Sequence, residues 1–128
     1  MPALTWRSPA EVRPDRDYVV MASRLPLKSV LQVPRFMLNT LSITGQLKRS
    51  KGIVWYSLLA HLVRHRFWTL SVWEDEDALD AFAAELPHSG IMTGLRPHMG
   101  ATKFVTWTAL GAEVPPTWEQ ALERLDSA

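Results

Sequence analysis

Two hydrophobic patterns meet in the middle of the chain. Residues 67–73 alternate residue by residue, as the two faces of a strand do. Residues 79–86 place apolar side chains at helical spacing, which predicts a helix with one apolar face. Asp75, in the acidic segment between the two patterns, is a typical helix N-cap. The pattern therefore predicts a strand that leads into a helix ending near Pro87.

The remaining chain continues the same succession of strands and helices. Further strands are predicted over residues 17–25, 52–62 and 102–110, and a further helix over residues 28–46. Thr117 and Gln120 form a capping-box pattern, which predicts a short C-terminal helix to about Leu125. The order β, α, β, β, α, β followed by this helix predicts an α+β ferredoxin-like domain with an antiparallel four-stranded sheet.

The N-terminal segment differs in composition from the rest. Residues 1–16 contain Pro2, Pro9 and Pro14 among mixed charges, which predicts an extended arm, ordered where Trp6 finds a pocket. Residues 17–128 are then expected to form a single domain, which is an ordinary size for one hydrophobic core.

Composition and charge exclude several classes of function. Hydrophobic residues make up 47% of the 128 residues and charged residues 21%, as in ordinary globular proteins. A net charge of +1 without a long basic stripe argues against nucleic acid as a partner. The absence of cysteine excludes disulfides and thiolate metal sites. Without a signal-peptide pattern or a long apolar run, we expect a soluble cytoplasmic protein that binds no membrane.

Motifs of the common enzyme classes are missing from the sequence. There is no nucleophile elbow, and the glycines at 90, 94 and 100 are too scattered for a phosphate-binding loop. His61 and His65 have the i, i+4 spacing of a helical metal site, but they fall at the end of a predicted hairpin without a carboxylate partner. His98 lies in a predicted turn. We therefore expect no metal site from these histidines.

His88 is the sharper candidate because it directly follows the predicted end of the second helix. It is a candidate general base, orienting donor or axial haem ligand, with Met92 one turn further along as an apolar wall. The structural alternative is a helix-end histidine whose ring bonds to backbone carbonyls.

The element order, the segment 71–75 (SVWED), Phe82 and His88 together resemble the dimeric α/β-barrel superfamily. Within it, the antibiotic-biosynthesis monooxygenase-like families match best, including bacterial proteins distantly similar to spheroidene monooxygenase. The resemblance covers about residues 17–111. It implies a homodimer in which two sheets pack face to face to form a barrel, with a pocket between each sheet and its helices. An aromatic-rich second sheet face would fit such a partner.

The resemblance also implies a chemistry and a set of residues. Monooxygenases of the antibiotic type use no cofactor, because the substrate anion itself reduces dioxygen in an apolar pocket. For this chain it implies an apolar aromatic or polyene-like substrate, with His88 as the proton acceptor. The side chains expected around the substrate are Trp73, Ser71, Thr69, Tyr56, Asn39, Arg35, Phe82 and Met92.

Two alternatives stay open at this point. Haem-degrading members of the superfamily combine a first-strand asparagine, a tryptophan in the second helix and a histidine after it. Here Ala22 and Ser23 occupy the first strand and Phe82 the helix, so His88 alone matches. The first alternative is therefore a haem-binding protein with His88 as axial ligand, and the second is a non-catalytic dimer that binds a small molecule.

Overall fold

A five-stranded antiparallel sheet forms the centre of the protein, in the strand order β1-β3-β4-β2-β5. The computed structural model describes residues 3–9, 11–61, 63–84, 90, 93–94 and 96–127. The strands are β1 (Ala3–Arg7), β2 (Asp17–Pro26), β3 (Ile53–His61), β4 (Arg66–Trp73) and β5 (Lys103–Leu110). The helices α1 (Val33–Arg49) and α2 (Glu76–Ala84) cover one face of the sheet, and α3 (Trp118–Ser127) covers the other.

The predicted α+β ferredoxin-like fold is confirmed, and so are the signals that begin its helices. The Asp75 carboxylate accepts a hydrogen bond of 2.8 Å from the backbone N–H of Ala78 at the start of α2. Thr117 and Gln120 form both bonds of a capping box at α3, at 2.9 and 3.1 Å. No helix among the described residues is long and apolar enough to span a membrane.

α1 differs from its prediction at both ends. It begins at Val33 after a single 3-10 turn, Val30–Gln32, and runs past Gly45 to Arg49. Pro34 lies in the first turn, where its missing N–H has no helical acceptor to lose. Since an isolated glycine costs a helix only about 1 kcal/mol, packing along the sheet is enough to carry α1 through Gly45.

The side of α1 that faces the sheet also differs in part from the prediction. Phe36, Thr44 and Leu47 are buried as their spacing predicts. The spacing in the sequence also predicts Met37 and Leu41 on this side of the helix, but both are exposed. The helix instead turns Asn39, Thr40 and Ile43 inward.

The prediction of four strands is wrong, because part of the predicted N-terminal arm is a fifth strand. β1 pairs antiparallel with β3, so it satisfies backbone groups that β3 would otherwise expose at a sheet edge. The Trp6 ring stacks on the Tyr56 ring with 5.5 Å between centroids. The Thr5 hydroxyl lies 3.0 Å from the Ser57 hydroxyl. The prolines at 9 and 14 fall outside β1, so they do not interrupt its pairing.

α3 covers the second sheet face, which the sequence predicts to pack against a partner subunit. Ala121 and Leu125 of α3 pack against Val20, Leu70 and Val72, and all five side chains are almost completely buried. The expectation that this face is left open is therefore wrong where α3 packs, because the chain buries these five residues itself. The homodimer itself stays a prediction.

Candidate functional site

A mostly apolar pocket of about 90 Å³ lies between α1 and the sheet. Side chains from α1, α2 and four of the strands surround it, and most of them are aliphatic or aromatic. The lining consists of Met21, Ser23, Leu25, Phe36, Asn39, Thr40, Ile43, Leu47, Tyr56, Leu58, Thr69, Leu70, Ser71, Phe82 and Phe104. An apolar cavity with a few polar groups is typical of small-molecule sites.

Strand register builds the floor of this pocket from two adjacent rows of side chains. One row crosses the sheet from Tyr56 on β3 through Ser71 on β4 to Met21 on β2. The next row crosses from Leu58 through Thr69 and Ser23 to Phe104 on β5. Alternate residues of a strand point to the same face, so these two rows lie side by side under α1.

Tyr56 has a buried side chain whose hydroxyl has no hydrogen-bond partner among the described residues. The side chain is 2% exposed, yet its hydroxyl forms no hydrogen bond to any part of the chain that the structure describes. Every fully enclosed polar side-chain atom among those residues does have a partner, so the Tyr56 hydroxyl must border the open space of the pocket. Burial raises the pKa of Tyr56 above its ordinary value of 10.0. The phenol is therefore neutral at physiological pH and has a proton to donate to a ligand.

Ser71 pairs with Tyr56 across β3 and β4, and its hydroxyl is held in place by a hydrogen bond from Trp73. The Trp73 indole N–H donates a 2.9 Å hydrogen bond to the Ser71 oxygen. Because this bond uses the Ser71 oxygen as an acceptor, the hydroxyl hydrogen is directed elsewhere. Ser23 and Thr69 lie in the neighbouring row and hydrogen-bond to each other. Tyr56 and Ser71 therefore supply the hydroxyl hydrogens that a ligand oxygen can accept at one end of the floor.

Asn39 contributes a side-chain amide from α1, the helix that forms the roof of the pocket. Its side chain lines the cavity from α1 and forms no hydrogen bond to a described residue. An amide offers both donors and an acceptor, so Asn39 can contact either a carbonyl or a hydroxyl of a ligand.

Five of the predicted substrate-binding residues line this pocket, and two do not. The five are Ser71, Thr69, Tyr56, Asn39 and Phe82. Trp73 is fully buried beside Phe82, with ring centroids 5.2 Å apart, and does not line this pocket. Arg35 lies on the exposed side of α1 and is also outside the lining, because the helical period turns Phe36 and Asn39 inward instead.

His88 and Met92 lie outside the described residues. The other three histidines are described, and none of them lines the pocket. His61 accepts a bond from the backbone N–H of Arg64, the His65 ring bonds to the Leu27 carbonyl, and His98 ends a 3-10 turn. Within the described part of the chain, histidine and carboxylate side chains form no cluster that could hold a metal ion.

A larger depression of about 680 Å³ lies between the C-terminal end of α1 and the N-terminal end of α2. Its rim carries Arg49, Lys51, Glu74, Asp75 and Asp77. An apolar ligand there would remove water from charged groups, which is costly. The smaller apolar pocket is therefore the better candidate for an apolar ligand, although it has the smaller volume.

Sequence reasoning missed most of the roof and half of the floor. Phe36, Thr40, Ile43 and Leu47 follow the helical period and mark the inward side of α1. Period-2 alternation likewise places Met21 and Ser23 on one face of β2, but it does not say which face the helices cover. Phe104 had no sequence signal, because its place in the pocket depends on the pairing of β5 with β2.

Solved structures with this arrangement of strands and helices include known and proposed oxygenases. SnoaB from Streptomyces nogalater, a cofactor-independent oxygenase, is 20% identical over 79% of this chain and 99% of its own, with a TM-score of 0.60. A proposed antibiotic biosynthesis monooxygenase from Nitrosomonas europaea is 16% identical over 80% and 95%, with a TM-score of 0.65. The chain has the antibiotic biosynthesis monooxygenase-like fold. The resemblance predicted from the sequence is confirmed for this fold.

The same monooxygenase-like fold occurs in a conserved protein from Methanosarcina mazei, which is 17% identical over 70% of this chain and 90% of its own, with a TM-score of 0.63. No family model and no curated protein sequence matches the chain. At these identities the likeness shows the fold, and function has to be argued from the pocket.

Proposed function

We propose that the protein is a cofactor-independent monooxygenase that oxidises a small apolar aromatic molecule in the pocket under α1. The observation that carries the proposal is the Tyr56 hydroxyl, a neutral donor that lies in a mostly apolar cavity and has no hydrogen-bond partner among the described residues. Because this hydroxyl borders the open space of the pocket, a ligand oxygen there can accept its hydrogen. The description of SnoaB as a cofactor-independent oxygenase supports the reaction type by analogy of fold.

The reaction balances without a cofactor when the substrate is an electron-rich phenol. Its anion transfers electrons to dioxygen, a carbon–oxygen bond forms at a ring carbon, and the resulting hydroperoxide loses water to leave a ring carbonyl. One oxygen atom enters the product and the other leaves as water, so the substrate is the only reductant. The protein's part is to hold the anion, exclude water and accept one proton.

Each polar group has a role in this scheme. Tyr56 and Ser71 donate to the substrate oxygen, and Asn39 contacts it from the roof. Phe82 and the aliphatic side chains of the lining exclude water from the reacting ring. His88 is the proposed proton acceptor, as the sequence suggests, and the experiment below tests it directly.

Oxygen uptake with a panel of hydroxylated aromatic compounds tests the proposal. We expect uptake above the enzyme-free background with at least one compound, and a decrease of at least tenfold in both His88→Ala and Tyr56→Phe. His98→Ala is the control, since His98 does not line the pocket, and should retain wild-type rates. Uptake no faster than background with every compound would reject the function, and full activity in His88→Ala would reject that residue as the base.

The two alternatives have no supporting observation among the described residues. A haem protein would show a Soret band that is lost in His88→Ala. The pocket volume of about 90 Å³ is well below the roughly 300–1,000 Å³ of sites that hold larger ligands, which disfavours haem in this cavity. A non-catalytic binding protein would bind the phenol panel without consuming oxygen.

We propose that the active form is a homodimer, and sedimentation equilibrium measures this oligomeric state.

A further inference from the structure

The size of the pocket limits what it can hold. Its volume of about 90 Å³ is smaller than an engineered apolar cavity of about 150 Å³ that binds benzene. One aromatic ring therefore already needs additional space where the pocket opens to solvent. A second fused ring has no room inside the cavity unless a side chain moves.

Phe104 stands where this opening lies. It lines the pocket and is nevertheless 52% exposed, so one part of its ring faces the cavity and another faces solvent. Tyr56 and Phe104 are on β3 and β5, with β4 and β2 between them. Three strand spacings of about 4.8 Å separate the two strands by about 14 Å. The donor end and the open end of the pocket are therefore opposite each other across the sheet.

We propose that the pocket selects single-ring phenols, bound with the hydroxyl toward Tyr56 and Ser71, and that Phe104 sets the upper limit of ligand size. The inference rests on the proposed function for the presence of a phenol, and it adds the ring number, the orientation and the limiting residue. A phenol oxygen at Tyr56 leaves its ring pointing along the floor toward β5, where Phe104 is the last lining residue. A longer ring system in this orientation would meet the Phe104 side chain.

Apolar area and available space make opposite predictions for larger ligands. A fused second ring buries more apolar surface, so an unrestricted pocket would bind 1-naphthol more tightly than phenol. A pocket whose length is limited by the Phe104 side chain would instead bind phenol more tightly. The ratio of the two affinities therefore measures the steric limit and does not depend on turnover.

Isothermal titration calorimetry with phenol, 1-naphthol and 9-phenanthrol tests this limit. We expect the wild-type protein to bind phenol at least tenfold more tightly than 1-naphthol. Phe104→Ala should reverse this preference, and Leu110→Ala is the matched control. Leu110 is an exposed apolar residue on the same strand and outside the pocket lining, so its removal should leave the ratio unchanged.

The orientation is tested with toluene, which has the ring and lacks the hydroxyl. Tyr56→Phe should weaken phenol binding about tenfold and leave toluene binding unchanged, because the lost group contacts only the hydroxyl. Equal or tighter binding of 1-naphthol by the wild-type protein, or an unchanged ratio in Phe104→Ala, would overturn the inference. Phenol-selective binding without oxygen uptake would support the size limit while rejecting the oxygenase. Uptake with multi-ring phenols and none with single-ring phenols would do the reverse.

Discussion

Tyr56 and Ser57 are neighbours on β3, and their hydroxyls have opposite roles. The Tyr56 hydroxyl faces the pocket without a protein partner. The Ser57 side chain points to the other face, is fully buried, and bonds to both Thr5 and the Trp118 indole at 3.0 Å. One hydroxyl is therefore available to a ligand, while the other joins β1, β3 and α3.

Replacing Tyr56 by phenylalanine should separate binding from stability. At pH 7 we expect the free energy of unfolding to change by less than about 1 kcal/mol, because the hydroxyl has no protein bond to lose. Burial raises the pKa of Tyr56 above 10.0, so the unfolded chain releases this proton first as pH rises. The neutral Tyr56 phenol should therefore contribute fully to the stability of the wild-type protein below pH 10. This contribution should be lost as pH rises through the raised pKa.

Urea unfolding between pH 8 and pH 12 measures that difference. Tyr56→Phe should lose less stability than the wild-type protein above pH 10. Parallel curves for the two proteins over this range would contradict the buried, neutral phenol.

Removing the Ser57 hydroxyl should lower the free energy of unfolding, whereas removing the Tyr56 hydroxyl should leave it nearly unchanged at pH 7. Ser57→Ala leaves the Trp118 indole N–H without its acceptor, and we expect a loss of about 1–3 kcal/mol in the free energy of unfolding. Ser42→Ala, at an exposed position of α1, is the control and should change stability by less than about 0.5 kcal/mol. Equal denaturation midpoints for the two variants would show that the Ser57 bonds carry no net stability.

At the scale of elements, β1 supports the site from outside. It pairs with β3 along Ala3–Arg7 and places the Trp6 ring on the outer face of Tyr56. The segment with the weakest sequence signal therefore stabilises a residue of the pocket floor. Its proline and charge content predicts an arm, whereas the free edge of β3 decides that it becomes a strand.

Two substitutions on the same side of β1 test this support. Trp6→Ala should lower the free energy of unfolding by about 1–3 kcal/mol, because it removes a stacked ring that is partly buried. Leu4→Ala is the matched control, since Leu4 is 55% exposed and its removal should cost little. Guanidinium unfolding compares them, and similar losses in both variants would indicate that β1 contributes only backbone pairing.

At the scale of the whole molecule, the sheet separates two differently built layers. In the layer under α3, Leu125 and Ala121 are buried against β2 and β4. The layer under α1 and α2 retains the pocket, because α1 contributes polar and partly exposed side chains there. A packed core on one side of the sheet suits a binding site on the other side whose floor must not move.

Creating a cavity in the layer under α3 should lower the stability of the protein. We expect Leu125→Ala to lower the free energy of unfolding by about 2–5 kcal/mol through loss of burial and creation of a cavity. Leu122→Ala, in the same helix at a partly buried position, should cost less. Thermal unfolding of the two variants checks the order, and a larger effect at Leu122 would contradict the packing of α3.

The sequence by itself determined the elements and their order, because alternation, helical spacing and capping residues are local properties. It also named five lining residues of the pocket, since side-chain type and strand face are visible in the chain. The tertiary structure decided the rest. Strand register placed Phe104 in the pocket, and β1 paired with the free edge of β3. α3 packed on the sheet face that the sequence predicted for a partner subunit. These outcomes depend on which distant segments compete for the same surface, and no local pattern records that competition.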